Sequence, residues 1–205
     1  MIREAKGVAV HDLSFWADTL PLLEGLPRVI SDYRFECGEP VRLRLTADTG
    51  RELHDKTLER FADLTRQGSD LGRPSGTAVD RLAWNLTTAM RGRTTIGTPE
   101  TNVPVPGCGI VLGGSCDLVW LPFLVELKLT AKEPNVRDVR QVLVYCGLLE
   151  LSGIGTATKG IVANPRLGLL VEFDIAELLL MTGGLRIDEF ASMLGSFLVS
   201  AGLSG

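Results

Sequence analysis

Cys116-Asp117-Leu118-Val119-Trp120-Leu121-Pro122-Phe123-Leu124-Val125-Glu126-Leu127-Lys128-Leu129-Thr130 is the stretch on which the fold of this chain turns. It reads as two strands in close succession, Cys116–Leu121 and Phe123–Thr130, connected tightly at Pro122. The second strand alternates. Phe123, Val125, Leu127 and Leu129 fall on one face, and Leu124, Glu126, Lys128 and Thr130 on the other. An acid and a base thus share one face of an otherwise apolar strand. Burying them without a purpose costs several kcal/mol per ion.

Working outward, the next element downstream is a helix over about Val136–Leu151, followed by a strand over Lys159–Asn164. Leu169 to Gly205 reads as a further strand and one or two helices. Upstream, Thr94–Thr130 carries short-strand signals, with a turn or bulge at Gly113-Gly114. A helix over about Thr77–Arg91 ends at Gly92, and a Gly-, Ser- and Pro-rich loop spans Gly68–Gly76. Before it lies a helix over about Arg51–Gln67. Thr49-Gly50-Arg51-Glu52 has the T-x-x-E spacing of a capping box, and Gly68 is placed to stop the helix. Leu53, Leu58, Phe61 and Leu64 form its apolar stripe, and His54, one turn from Leu58, borders it. Residues 1–40 read as a short helix followed by irregular or strand structure.

Helices alternating with strands in this order imply an α/β fold, a mixed central sheet flanked by helices. The expected organisation is a single domain over residues 1–205. Its core spans about 49–175, with an N-terminal extension over 1–45 and a C-terminal helical segment over 176–205.

Composition narrows the function classes. Hydrophobic residues make up 45% and charged residues 22% of the 205, a balance that argues against disorder. The most apolar stretch, Leu167–Met181, is interrupted by Glu172, Asp174 and Glu177, so no membrane span or membrane partner is expected. The N-terminal MIREAKGVAVHDL has no long apolar run, which points away from a signal peptide and towards a cytoplasmic location. Cys37, Cys108, Cys116 and Cys146 form no C-x-x-C pair and read as buried free thiols rather than zinc or iron–sulfur ligands. The net charge of −4 is unevenly distributed: residues 1–40 and 150–205 each carry −3, and the segment between them carries +2.

The candidate chemistry is built on Asp117, Glu126 and Lys128. Two strands joined at Pro122 can bring Asp117 beside Glu126. Two carboxylates at one spot repel unless a cation lies between them. Hard oxygen donors suit Mg²⁺ or Mn²⁺, which can lower the pKa of a water and stabilise charge on a phosphate. Lys128, on the Glu126 face, is placed to orient that water or to neutralise developing charge. E-x-K alone is common as a structural ion pair, and Asp117 after Gly113-Gly114 is equally a turn residue.

Gly114-Ser115-Cys116-Asp117 followed by Glu126-Leu127-Lys128 resembles the core of the PD-(D/E)XK nuclease superfamily. Gly50-Arg51-Glu52-Leu53-His54 matches G-x-x-x-H, and Gln141-Val142-Leu143-Val144-Tyr145 matches Q-x-x-x-Y. These two flanking motifs point to the RecB-like branch. The four motifs stand in the family's order between Gly50 and Tyr145. Cys116 replaces the usual Pro before the Asp, and the cysteine cluster that holds an iron–sulfur centre in some members is absent, so no iron–sulfur cluster is expected.

The resemblance implies a restriction-endonuclease-like core that hydrolyses phosphodiester bonds through a metal-activated water. Asp117, Glu126 and Lys128 would be catalytic. Mg²⁺ or Mn²⁺ would be held by His54, Asp117, Glu126 and the Leu127 carbonyl. Gln141 and Tyr145 would position the lysine or the nucleic-acid strand. The partner would be nucleic acid, with DNA the first expectation. The alternative is a catalytically inactive nuclease-fold module that binds nucleic acid or serves in an assembly. A homo-oligomer, or a subunit of a repair or phage-defence assembly, is compatible with either. The apolar tail of Ile187, Phe190, Met193, Leu194, Phe197 and Leu198 serves as an oligomer contact or as a core-packing helix.

Overall fold

The computed structural model describes residues 47–67, 76–109, 113–154 and 157–203, with the backbone alone for 47–49 and 202–203. The expectations for residues 1–40, Cys37 and the Gly68 helix stop lie outside the described residues. The elements run α1 (Ala47–Arg66), α2 (Ala78–Met90), β1 (Glu100–Val105), β2 (Gly114–Trp120), β3 (Phe123–Leu127), α3 (Val136–Leu151), β4 (Lys159–Asn164), β5 (Leu169–Asp174), α4 (Ile175–Gly183) and α5 (Ile187–Leu203). The strands form one mixed sheet in the order β1-β2-β3-β4-β5. Only β3 and β4 are parallel, as the α3 crossover between them allows; the other neighbours are antiparallel. The protein is therefore α/β, a five-stranded mixed sheet with helices on both faces.

Local chemistry accounts for most boundaries. The Thr77 side chain caps α2 by accepting from the Asp80 N–H, and Gly92 follows the helix at φ 78°. Asn135 and Asp138 cap α3 reciprocally: Asn135 Oδ1 accepts from the Arg137 N–H and Asp138 Oδ2 from the Asn135 N–H, both at 2.8 Å. Asp174 caps α4, and Gly184 ends it in the left-handed conformation. One expected boundary is corrected. Helix α1 begins at Ala47, so Thr49 lies inside it, and Glu52 pairs with Lys56 one turn ahead instead of closing a box.

The sheet separates two cores. One lies under α1 and α2, where Leu58, Phe61, Leu82 and Leu86 meet Leu118, Phe123, Val125 and Leu127. The other lies under α3, α4 and α5, where Leu143, Phe190 and Leu194 meet Cys116, Leu124 and Val162. A strand buried on both faces needs apolar residues on each, and all five residues of β3 are buried. The C-terminal helix belongs to the second core. Phe190, Leu194 and Leu198 are buried and Ile187 and Phe197 partly so, while Met193 is exposed. Among the described residues, no helix is long and apolar enough to cross a membrane.

Candidate active site

The hairpin register positions Asp117. Trp120 faces Phe123 and Leu118 faces Val125, with the turn at Leu121-Pro122. The next rung would set Asp117 against Glu126. There the ladder stops, and a side chain takes over: the Leu127 N–H donates to Asp117 Oδ2 at 2.6 Å.

Strand alternation also fails once at this point. Cys116 enters the core under α3, whereas Leu118, two residues on, enters the core under α1 and α2. On β1 the residue between the Thr101–Leu118 and Val103–Cys116 pairs is Asn102, the one described non-glycine residue with positive φ, at 54°. Asn tolerates this left-handed conformation better than most residues. The facing of β2 reverses there, with Asp117 at the reversal.

Helix α1 brings His54 to the same place. Its Nε2 lies 2.8 Å from Asp117 Oδ1, and its Nδ1 lies 3.1 Å from Asp55 Oδ1. Burial alone would lower the His54 pKa. The Asp117 carboxylate, helped by Asp55, outweighs it and raises the ring to about 9.

Glu126 is 5% exposed. Its Oε1 accepts from Lys128 Nζ at 2.8 Å, while its Oε2 is buried without a hydrogen-bond partner among the described residues. Burial, and then the nearby Asp117 charge, push the Glu126 carboxyl up to about 8.

Lys128 is held from three directions. Besides Glu126, its Nζ donates to Gln141 Oε1 at 2.8 Å and lies 3.6 Å from Asp138 Oδ1. Burial works against its charge, but Glu126, Asp138 and Asp117 together keep the ammonium above its usual range. Gln141 Nε2 in turn donates to the Tyr145 hydroxyl at 2.9 Å. Gln141 and Tyr145 are 3% and 1% exposed, so both point inward rather than out to a ligand. Burial, and then Glu126, push the Tyr145 phenol well above its ordinary pKa, which leaves it a neutral hydroxyl.

The geometry therefore joins every side chain singled out in the sequence. His54, Asp117 and the Leu127 N–H form one half, and Glu126, Lys128, Gln141 and Tyr145 the other; the Asp117 and Glu126 charges couple them. Leu127 contributes its backbone, its side chain being buried under α1 and α2. Two neighbours escaped sequence reasoning. Asp138 carried a signal, since Asn135-x-x-Asp138 has capping-box spacing and Asp138 lies one turn before Gln141. Asn164, which bonds the Thr130 and Lys132 carbonyls, carried none.

The donor set fits a hard divalent ion. It offers two carboxylates and an imidazole, with a buried Glu126 oxygen lacking a partner. Among the described residues no three His, Cys, Asp or Glu side chains close around one point. His54 and Asp117 bond each other directly.

The described cysteines are free thiols. Cys116 and Cys146 are buried and Cys108 partly so. Burial and the adjacent Asp117 charge push Cys116 up to about 12, far from a reactive thiolate. In comparisons with family models, curated proteins and solved structures, no match to the chain was found.

Proposed function

We propose that this protein is a nuclease that hydrolyses phosphodiester bonds with Mg²⁺ or Mn²⁺, with DNA as its first substrate. The observation that carries this reading is the neighbourhood of Asp117 and Glu126, close enough for their charges to interact, with His54 paired to Asp117 and with Lys128 bonded to both Glu126 and Gln141. A structural ion pair would require only Glu126 and Lys128. It would explain neither the second carboxylate nor the unpartnered Glu126 oxygen.

His54, Asp117, Glu126 and the Leu127 carbonyl would hold the ion. When bound, it would supply an acidified water and neutralise charge on the phosphate. The Leu127 N–H fixes the Asp117 carboxylate through Oδ2 and leaves Oδ1 facing His54. Lys128, with two of its N–H groups held by Glu126 and Gln141, would bring a fixed positive charge to the point where charge grows on the phosphate oxygens. Gln141 holds that ammonium in place, and Tyr145 holds the Gln141 amide by occupying one of its N–H groups. Neither reaches the substrate; both keep the lysine from rotating away.

The test is cleavage of labelled linear, circular and single-stranded nucleic acid with Mg²⁺ or Mn²⁺, with Lys128→Ala and Asp117→Ala alongside. Metal-dependent cleavage lost in both variants, with circular dichroism unchanged, is expected. Equal cleavage by either variant overturns the assignment. Absence of cleavage in the wild type would leave a binding module of this fold.

A further inference from the structure

Asn164 ends β4 and is wholly buried. The residue before it, Ala163, accepts the Lys128 N–H at 2.8 Å, a backbone bond just beyond the end of β3. Beyond this rung the backbone leaves the sheet, and β3 ends at Leu127 instead of continuing to Thr130 as alternation suggested. The Asn164 side chain takes over. Its Nδ2 donates to the Thr130 and Lys132 carbonyls, both at 2.9 Å, using both of its N–H groups. Its Oδ1 is buried with no partner among the described residues. An unpartnered buried acceptor is costly, so the amide is kept there for its two donors.

We propose that Asn164 is a positioning residue for Lys128. The loop it clamps runs from the lysine to the first turn of α3. That turn supplies Asp138, and the next supplies Gln141, both of which face the Lys128 ammonium. Alanine at 164 would free the Thr130 and Lys132 carbonyls, let the loop shift, and carry the α3 N-terminus away from the lysine. The inference rests on the nuclease reading only for its effect on rate.

A second buried amide provides the control. Asn85 of α2 donates to the Pro165 carbonyl at 2.8 Å, anchoring the turn after β4 rather than the Thr130 and Lys132 carbonyls. Asn164→Ala and Asn85→Ala are compared by NMR of the Lys128 ammonium and the Gln141 side-chain amide in the metal-free full chain. Cleavage kinetics are measured on the same variants.

The expected result is displaced Lys128 and Gln141 signals in Asn164→Ala alone. With it, kcat falls about tenfold or more while KM changes less than twofold. Wild-type signals in Asn164→Ala, or the same displacement in Asn85→Ala, overturn the proposal. Should Asn164→Ala not fold, hydrogen exchange of the wild-type Asn164 side-chain amide decides. Exchange as slow as that of the β3 and β4 backbone supports the clamp, and exchange at the rate of an exposed amide overturns it. Displaced signals in a protein without cleavage would uphold the clamp and discard the nuclease reading.

Discussion

The Lys128 ammonium and the Gln141 amide oxygen meet at 2.8 Å, although one directly follows the end of β3 and the other sits in the second turn of the following helix. A charged donor on a neutral acceptor in a largely buried place contributes about 1.5–3 kcal/mol. The contact makes the lysine's position depend on α3 as well as on its own strand.

Gln141→Leu should therefore lower the cleavage rate without removing it, by about tenfold. Lys128→Ala should cost about 10²-fold or more, the usual scale for a donor aimed at developing charge. The double variant should be no slower than Lys128→Ala alone, because Gln141 acts only through the lysine. Additive losses in single-turnover rates would show that Gln141 has a separate role.

His54, Asp117 and Glu126 each make a prediction for metal binding that does not need activity. Calorimetry with Mn²⁺ should give one site in the wild type. Alanine at any of the three positions should weaken it by more than the roughly 10–100-fold typical of outer-shell partners. Near pH 7, binding should release protons, since His54 is raised to about 9 and Glu126 to about 8 without metal. Heats that do not depend on buffer ionisation enthalpy would contradict this.

The same groups set the pH response of the metal-free fold. Burial, then Asp117, raises the Glu126 carboxyl from 4.5 to about 8, so folding binds its proton more tightly. Its contribution is full below about pH 4.5 and is lost as pH rises through about 8. His54, raised from 6.5 to about 9, acts in the same direction. Thermal melts in chelator should show falling stability between pH 6 and 9. The slope should be shallower in Glu126→Gln, and Mn²⁺ should restore the loss by binding the folded state. Equal slopes for the two proteins would refute the account.

A prediction about the sheet tests the packing independently. A Cβ on Gly160 of β4 would run into the ring of Phe173 on β5, the residue directly opposite it. Gly160→Ala should destabilise by about 1–3 kcal/mol, as overpacked cores do. Phe173→Leu should recover part of that loss in the double variant. Denaturant titrations read both effects.

Much of this protein is legible in one dimension. The helix over Val136–Leu151 and the strand over Lys159–Asn164 have the bounds expected of them, because caps, turn residues and periodicity are local properties. The strand faces of Phe123–Leu129 follow from alternation alone. Spacing likewise puts Glu126 and Lys128 on one face, and Gln141 one helical turn from Tyr145.

Other features needed the folded chain. That Asp117 bonds the Leu127 N–H depends on a reversal of facing at Asp117, opposite Asn102, which strict alternation hides. That Tyr145 is buried and holds Gln141 depends on α3 lying between the sheet and α5. The clamp of Asn164 on Thr130 and Lys132 spans more than thirty residues. Local rules govern which residues can form an element and which way each side chain faces. Which distant groups then share one buried point is decided by packing, where each polar atom must find its partner after the elements have met.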